Sequence, residues 1–287
     1  MPISIIIPAH NEAAVIGRCL STLLRGAEPG ELEIIVVANG CNDDTADAAR
    51  SVSPDVKVID TPTPGKSNAI NVGDAAATGF PRFYVDADVT LEIAAVRRVA
   101  QVLRGETFLA AAPKVNFELA GRSWFVRAFY DVWRRTPYIS EGMIGSGVYA
   151  VSEKGRRRWE EIPAITADDI YVRLQFKPGE RTVVADCTFT IKPPMSLAGL
   201  VKIKTRGHFG IIELKKLYPQ LFKNEGESHA SALPKMACNP LLWPKLAVYM
   251  YVRLKSRKAA EKRLQAGDYK TWERDDSSRA MPAQAVK

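Results

Sequence analysis

Four short apolar runs, each followed by a polar segment and then an amphipathic stretch, constrain this chain more than any other feature. Ile3 to Pro8, Glu33 to Ala38, Val56 to Ile59 and Phe83 to Val85 are near-continuous runs, the pattern of strands buried on both faces. Between the first two, Ala13 to Leu24 sets Ile16, Cys19, Leu20, Leu23 and Leu24 at helical spacing, with Asn11 as the expected N-cap. Thr45 to Arg50, Ser67 to Ala77 and Val89 to Leu103 read as further helices. Such an alternation builds an α/β layer with a mostly parallel, doubly wound sheet. Ligands of these sheets sit beyond the carboxyl ends of the strands, so the residues just after each run are the functional candidates.

The rest of the chain is less regular. Phe108 to Ile191 mixes short strands with helices around Trp124–Arg135, Glu153–Trp159 and Asp169–Phe176, and Met195 to Leu217 reads as a helix after Pro193-Pro194. Leu241 to Leu254 is a short apolar helix leading into Lys255-Ser256-Arg257-Lys258, and the polar tail from Gly267 is expected to be disordered. Charge is uneven. The chain carries +8, but Met195 to Lys287 holds 18 Lys and Arg against 8 Asp and Glu, which leaves the preceding residues slightly negative. A basic C-terminal third calls for an anionic partner: a membrane surface, a lipid phosphate or a nucleotide diphosphate. Nucleic acid is disfavoured, because no nucleic-acid-binding motif accompanies the charge.

No run reaches the roughly 18 apolar residues of a membrane span. The segment Leu241 to Lys258, interrupted by Pro244, Lys245 and Arg253, reads equally as an interfacial helix on anionic lipid or as a helix packed on the rest of the protein. The apolar start lacks a basic region and runs straight into Pro8-Ala9-His10, which makes it a first strand rather than a signal peptide. Cys19, Cys41, Cys187 and Cys238 form no CxxC pair, which fits reduced thiols and no zinc site. The expected location is cytoplasmic, with peripheral attachment at the inner face of the membrane as the variant.

Asp86-Ala87-Asp88 directly follows the fourth run. Carboxylates at i and i+2 on an extended segment project to one side, and hard oxygen ligands suit Mg²⁺ or Mn²⁺, which hold diphosphates. Alone the triplet also reads as an acidic turn before a helix; its place at a strand end favours the metal. Pro8-Ala9-His10-Asn11-Glu12, Asn39-Gly40-Cys41-Asn42-Asp43-Asp44 and Pro64-Gly65-Lys66-Ser67-Asn68 fall at the other strand ends or at the helix start that follows. Helix N-termini and a lysine there suit an anionic diphosphate. Asp168 and Asp169 open a later helix, where acids suit the dipole as well as proton abstraction. Lys202 and Arg206, four apart, share a helix face, as a diphosphate contact or a solvated basic surface.

Ile5-Ile6-Ile7-Pro8-Ala9-His10-Asn11-Glu12, Ile34-Ile35-Val36-Val37-Ala38-Asn39-Gly40, Gly65-Lys66-Ser67-Asn68-Ala69-Ile70-Asn71, Asp86-Ala87-Asp88 and Ala167-Asp168-Asp169 are collinear over roughly residues 3 to 210. As a set they resemble a family 2 glycosyltransferase of the GT-A fold. The resemblance implies a nucleotide-sugar donor, a divalent metal and an inverting transfer. It places Pro8, His10 and Glu12 in the nucleotide pocket, Asn39 on the base, and Lys66 nearby. Asp88 becomes a metal ligand, and Asp86 touches the ribose or the metal's water shell. The small-residue loop Gly145-Ser146-Gly147 lets donor sugar or acceptor approach the backbone, although it is equally an ordinary turn. Asp169 becomes the base that deprotonates the acceptor, and Asp168 a helix cap or an acceptor-orienting group.

There are two departures. Many members carry Asp where this chain has Asn39, which loosens the choice of base, with UDP still favoured. The Gln-x-x-Arg-Trp motif of polymer-making relatives lacks its Gln and Trp here, which argues for single rather than processive transfer into a polysaccharide or glycolipid. The acceptor, whether lipid, saccharide or small molecule, is not specified. Two rivals stand beside this reading: a sugar nucleotidyltransferase, opposed by the lack of a Gly-rich loop after the first strand, and a non-catalytic sugar-nucleotide-binding protein, opposed by the retained Asp88 and Asp169. The expected division is a catalytic domain over 1–220 and a basic helical extension with a polar tail over 221–287.

Overall fold

A computed structural model of the chain describes residues 1–140, 147–226 and 232–268. Its elements are β1 (Ile3–Ala9), α1 (Ala13–Leu24), β2 (Leu32–Asn39), α2 (Thr45–Arg50), β3 (Val56–Thr61), α3 (Lys66–Ala76), β4 (Arg82–Val85), β5 (Thr90–Leu91), α4 (Ile93–Arg104), β6 (Ala110–Phe117), α5 (Trp124–Trp133), α6 (Pro137–Ser140), β7 (Val148–Val151), α7 (Glu153–Arg156), α8 (Asp168–Arg173), β8 (Arg181–Ile191), α9 (Leu197–Leu217), α10 (Leu233–Ala237) and α11 (Trp243–Gln265).

The strands form one sheet in the order β3-β2-β1-β4-β7-β6-β8-β5. The first four run parallel, as the apolar runs imply. The expectation of a mostly parallel sheet holds: β1, β2, β3, β4, β6 and β8 run one way, and only β5 and β7 oppose them. β7 lies antiparallel between β4 and β6, β8 returns parallel to β6, and the short β5 closes the edge antiparallel to β8. In β1, β2 and β4 the apolar runs follow from burial on both faces, whereas β3, at the sheet edge, is only half-buried. Ile5 and Ile7 pack in the core beneath α1 and α4, while Ile6 points to the opposite core with Ala69 and Ile70 of α3.

The register brings the carboxyl ends of β1, β2, β3, β4, β6 and β8 to one edge. Val148, the first residue of β7, pairs with Val85, the last of β4, so the start of β7 joins that edge too. A third core sits between helices: Val126, Phe129 and Tyr130 of α5, Leu200 of α9, and Tyr249 and Val252 of α11. The apolar segment after 241 is thus part of a 23-residue helix that packs onto the expected catalytic domain, and the basic residues 255–258 lie within that helix. No described helix is long and apolar enough to cross a membrane. The four cysteines are free thiols. The tail from 269 and most of the loop around Gly145 lie outside the described residues.

Candidate active site

The loops after β1 and β2 are stitched to each other and to the start of α3. Asn39 closes β2 with its side chain turned inward, 3% exposed. Its Nδ2 donates to the Ala9 carbonyl at 2.7 Å, and its Oδ1 accepts from the Gly65 backbone N–H at 3.0 Å. This pattern fixes the amide orientation, since a flip would set oxygen against oxygen. The next residue, Gly40, has φ +56°, and a Cβ there would lie 2.9 Å from the Pro64 Cβ, so only glycine fits. His10 Nδ1 lies 2.6 Å from the Asn39 carbonyl oxygen. The Glu12 N–H donates to Thr45 Oγ1 at 2.8 Å.

The expected N-cap is corrected here. Glu12 occupies the N-cap position of α1, without a side-chain cap. Asn11 is instead in the left-handed region at φ 53°, and its Oδ1 accepts from the Asn42 N–H at 2.8 Å. Asparagine tolerates that conformation, and a cross-loop hydrogen bond won over a local cap.

Charge concentrates one strand further in. Lys66, the first residue of α3, sets its Nζ 2.9 Å from Asp86 Oδ1 and 3.3 Å from Asp168 Oδ2. Burial pulls this lysine down, but the carboxylates of Asp168, Asp86 and Asp169 outweigh it and hold the ammonium charged well above its ordinary range. The Asp86 N–H donates to the Gly147 carbonyl at 2.8 Å, which ties β4 to the start of β7. The Asp88 carbonyl accepts from Arg18 of α1 at 3.1 Å. A recess at this edge is lined by Pro8, Lys66, Tyr84, Asp86, Gly147, Tyr149 and Asp168.

The two acids of α8 differ. Asp168 is 2% exposed, and burial raises its pKa against the pull of Lys66. It caps nothing. Ala167 is the N-cap position, and the Asp168 carboxylate turns to Lys66, with Oδ2 in ion-pair range but making no hydrogen bond. Asp169 is only partly shielded from solvent, and one of its oxygens accepts from the Ile170 N–H at 2.7 Å. Burial, and then the neighbouring Asp168 charge, push its pKa up to about 7.

Helix α9 presses on this turn. A Cβ at Gly210 would come within 2.8 Å of Ala167 Cβ, so glycine permits the approach, and Glu213 accepts from the Thr166 N–H at 2.8 Å. Arg206, one helical turn before Gly210, shares that face. Pro8, Lys66, Asp86 and Asp168 therefore meet in one recess, with Asp169 adjoining. His10, Glu12 and Asn39 lie in the stitched loops beside it, and Arg206 is carried by the helix packed against α8. Gly145 falls outside the described residues.

Tyr149 of β7 escaped the sequence reading. Inside the apolar run Val148 to Val151 it looks like ordinary core, and no spacing rule marks it. Its ring stacks on Tyr84 at 4.8 Å between centroids. It is 3% exposed, and its hydroxyl has no hydrogen-bond partner. A buried hydroxyl without a hydrogen bond costs about 1–3 kcal/mol, and this one belongs to a residue that lines the recess.

The sequence profile of glycosyl transferase family 2 matches residues 4–154, more than half of the chain. The chain belongs to this family. Among curated family relatives, a probable glycosyltransferase of Bacillus subtilis (strain 168), YdaM, is 38% identical over 102 residues, which are 33% of this chain and 24% of that protein. An uncharacterized glycosyltransferase of Nostoc sp., alr2836, is 31% identical over 108 residues, 36% of this chain and 33% of the relative. The matched stretches thus span a third or less of those relatives' length. Solved structures show the GT-A fold of glycosyltransferases. A mannosyltransferase from Pyrobaculum calidifontis, in complex with GDP-Man and Mn²⁺, aligns with TM-score 0.62 and 19% identity over 94% of this chain and 76% of that one. Glucosyl-3-phosphoglycerate synthase from Mycobacterium tuberculosis, with Mn²⁺, UDP and phosphoglyceric acid, aligns with TM-score 0.53 and 18% identity over 75% and 78%.

Proposed function

We propose that this protein transfers a sugar from a nucleoside diphosphate sugar, with UDP favoured, to an acceptor hydroxyl, once per encounter and with inversion at the anomeric carbon. The observation that carries the reading is the meeting of Lys66, Asp86 and Asp168 in one recess, beside an Asp169 whose pKa is pushed up to about 7. The solved structures described above, in complex with GDP-Man or UDP and with Mn²⁺, support the same class of donor.

Asp169 is suited to take the acceptor proton at neutral pH, because a base near the working pH is both available and strong enough. As the acceptor O–H gives its proton to this carboxylate, its oxygen bonds to the anomeric carbon from the face opposite the leaving group. The bond from that carbon to the diphosphate oxygen breaks, and its electron pair departs with the nucleoside diphosphate. Lys66 places a fixed positive charge where an anionic diphosphate would rest.

The residues fit a divalent ion. Asp86 and Asp88 offer hard carboxylate oxygens two positions apart, directly after β4. Mg²⁺ or Mn²⁺ takes such oxygen donors, with phosphate oxygens and water filling the remaining positions. Bound by Asp88 and Asp86, it would supply charge neutralisation on the departing diphosphate.

Thermal unfolding tests the reading. UDP-sugars and GDP-sugars with Mn²⁺ should raise Tm by mass action, and a competent acceptor should release nucleoside diphosphate. Absence of any shift with all of these, with and without Mn²⁺, overturns the reading. Pyrophosphate release from a nucleoside triphosphate and a sugar phosphate would transfer the protein to the nucleotidyltransferase class.

A further inference from the structure

Helix α11 is apolar on two opposite sides, and the protein uses only one of them. Tyr249, Val252, Ser256 and Ala260 are buried. Tyr249 stacks on Phe129 of α5 at 5.2 Å, and Lys245 pairs with Asp131 at 2.6 Å. On a helix turning about 100° per residue, Trp243, Ala247, Met250 and Leu254 fall on one line on the far side, with Tyr251 beside them. All five face solvent, Trp243 at 59% and Leu254 at 55% exposure. The line is about 16 Å long at the helical rise per residue.

Beyond the line the exposed side chains are mainly basic: Lys258 beside it, Lys255 and Lys262 about a quarter turn round on the side of Tyr251, and Arg257, which pairs with Glu261. Asp131 meets Lys245 and Phe129 meets Tyr249, so α5 runs antiparallel to α11. The first turn of α5, with exposed Trp124, Phe125 and Arg127, then lies level with Leu254.

We propose that this outward stripe docks the protein on the surface of an anionic lipid bilayer, with α11 lying in the plane of the interface. Trp243, Met250 and Leu254 enter the headgroup boundary, and Lys255, Lys258 and Lys262 face lipid phosphates. Aromatic side chains with one polar edge and long basic side chains are the residue types that settle at that boundary. The helix cannot span the bilayer, but an apolar line flanked by lysines matches a surface that is apolar beneath and negative above. A second copy of the chain fits less well. Glu261, the acid on this face, is already paired with Arg257 at 2.8 Å, so two-fold contact through the stripe would set lysines on lysines, or lysines on the apolar line, with no free acid to meet them.

The test is co-sedimentation of the full chain with vesicles of phosphatidylcholine, alone and with roughly 30 mol% phosphatidylglycerol. The anionic vesicles should bind at least about tenfold more protein, and raised salt should weaken the binding. The double variant Trp243→Ser/Leu254→Ser should lose about tenfold in partitioning through the apolar term, and Lys255→Glu/Lys258→Glu a similar amount through charge. These side chains are exposed, so Tm should stay at the wild-type value in both. The proposal is overturned if the wild-type chain ignores anionic vesicles, or if the apolar double variant binds them equally well. It is also overturned if sedimentation velocity without lipid shows a dimer that the same variant breaks into monomers, which would assign the stripe to a second copy.

Discussion

Helix α3 carries an ion cluster near each end, and the two are mirror images in charge. Near its end one carboxylate, Asp74, lies between two guanidinium groups, Arg82 and Arg156. At its start one ammonium, Lys66, lies between two carboxylates, Asp86 and Asp168. The rear cluster is complete: Asp74 Oδ1 accepts from Arg82 at 2.6 Å and from the Tyr84 hydroxyl at 3.0 Å, and Oδ2 accepts from Arg156. The front cluster is open, with Asp168 Oδ2 and the Tyr149 hydroxyl both lacking a hydrogen bond. A finished network holds the fold, whereas an unfinished one in a recess keeps capacity for a ligand.

The sharpest break in this comparison comes from Asp169→Asn. Size and packing are kept but the proton acceptor is lost, so turnover with a competent acceptor should fall about 100- to 10,000-fold, while donor affinity by calorimetry stays near wild type. Collapse in Asp168→Asn alone would move the role to Asp168. In the wild-type protein kcat/KM should rise as pH passes upward through about 7, where Asp169 becomes charged. Its raised pKa also has a stability sign. Between about 4 and about 7 the folded state holds a proton that the unfolded state has lost, so Tm should decline as pH rises through that window, and the Asn variant should flatten the decline.

The rear cluster should fail as structure. Asp74→Ala leaves two guanidinium groups facing each other and should cost about 3–5 kcal/mol of unfolding free energy in urea titration. The same variant's residual folded fraction should bind donor normally, which separates the two ends of the helix. Asp88→Ala is the next step down. Donor affinity measured with Mn²⁺ should drop to the value measured without it, at least about tenfold, with Tm of the free protein unchanged. Equal Mn²⁺-dependent affinity in the variant would remove Asp88 from the metal site.

The smallest effect is expected at Tyr149→Phe. Removing an unpartnered hydroxyl should leave the free protein's Tm unchanged or slightly raised, while nucleotide-sugar affinity falls about fivefold, the worth of one hydrogen bond of about 1 kcal/mol. A lowered Tm with intact affinity would class Tyr149 with the finished network instead.

The two ends of α3 were not equally legible in the sequence. Parallel strands buried on both faces announce themselves as apolar runs, as β1, β2 and β4 do. The edge strand β3 is only half-buried, but its shorter run sufficed to place it, and Lys66 and Asp86 came with the loops beyond. Asp74 could not be read, because its partners Arg82 and Arg156 come from different elements and no local pattern links them. Tyr149 hid for another reason: inside an apolar strand nothing in the spacing separates it from ordinary core. The pairing of Lys66 with Asp168 joins residues about a hundred positions apart, and the segment before α8 is held to α3 by contacts no local pattern announces. The Ser67 hydroxyl donates to the Ile165 carbonyl at 3.2 Å, and the Asn71 amide hydrogen-bonds Ile162 through both its oxygen and its nitrogen. Helix α11 defeated the reading in another way: an apolar stretch can be read as packed or as exposed, and here it is both.

The lock around Asn39 limits how a lineage of such chains can change. Its amide gives a hydrogen to Ala9 and takes one from Gly65, so a carboxylate in its place would meet the Ala9 oxygen with nothing to donate. A one-residue step from Asn to Asp therefore lands on a strained protein. The exchange succeeds only when the end of β1 or the turn at Gly65 shifts in the same descent. Ancestors and descendants that differ at this position should differ in the neighbouring turns as well, and grafting Asp alone into this chain should lower its stability.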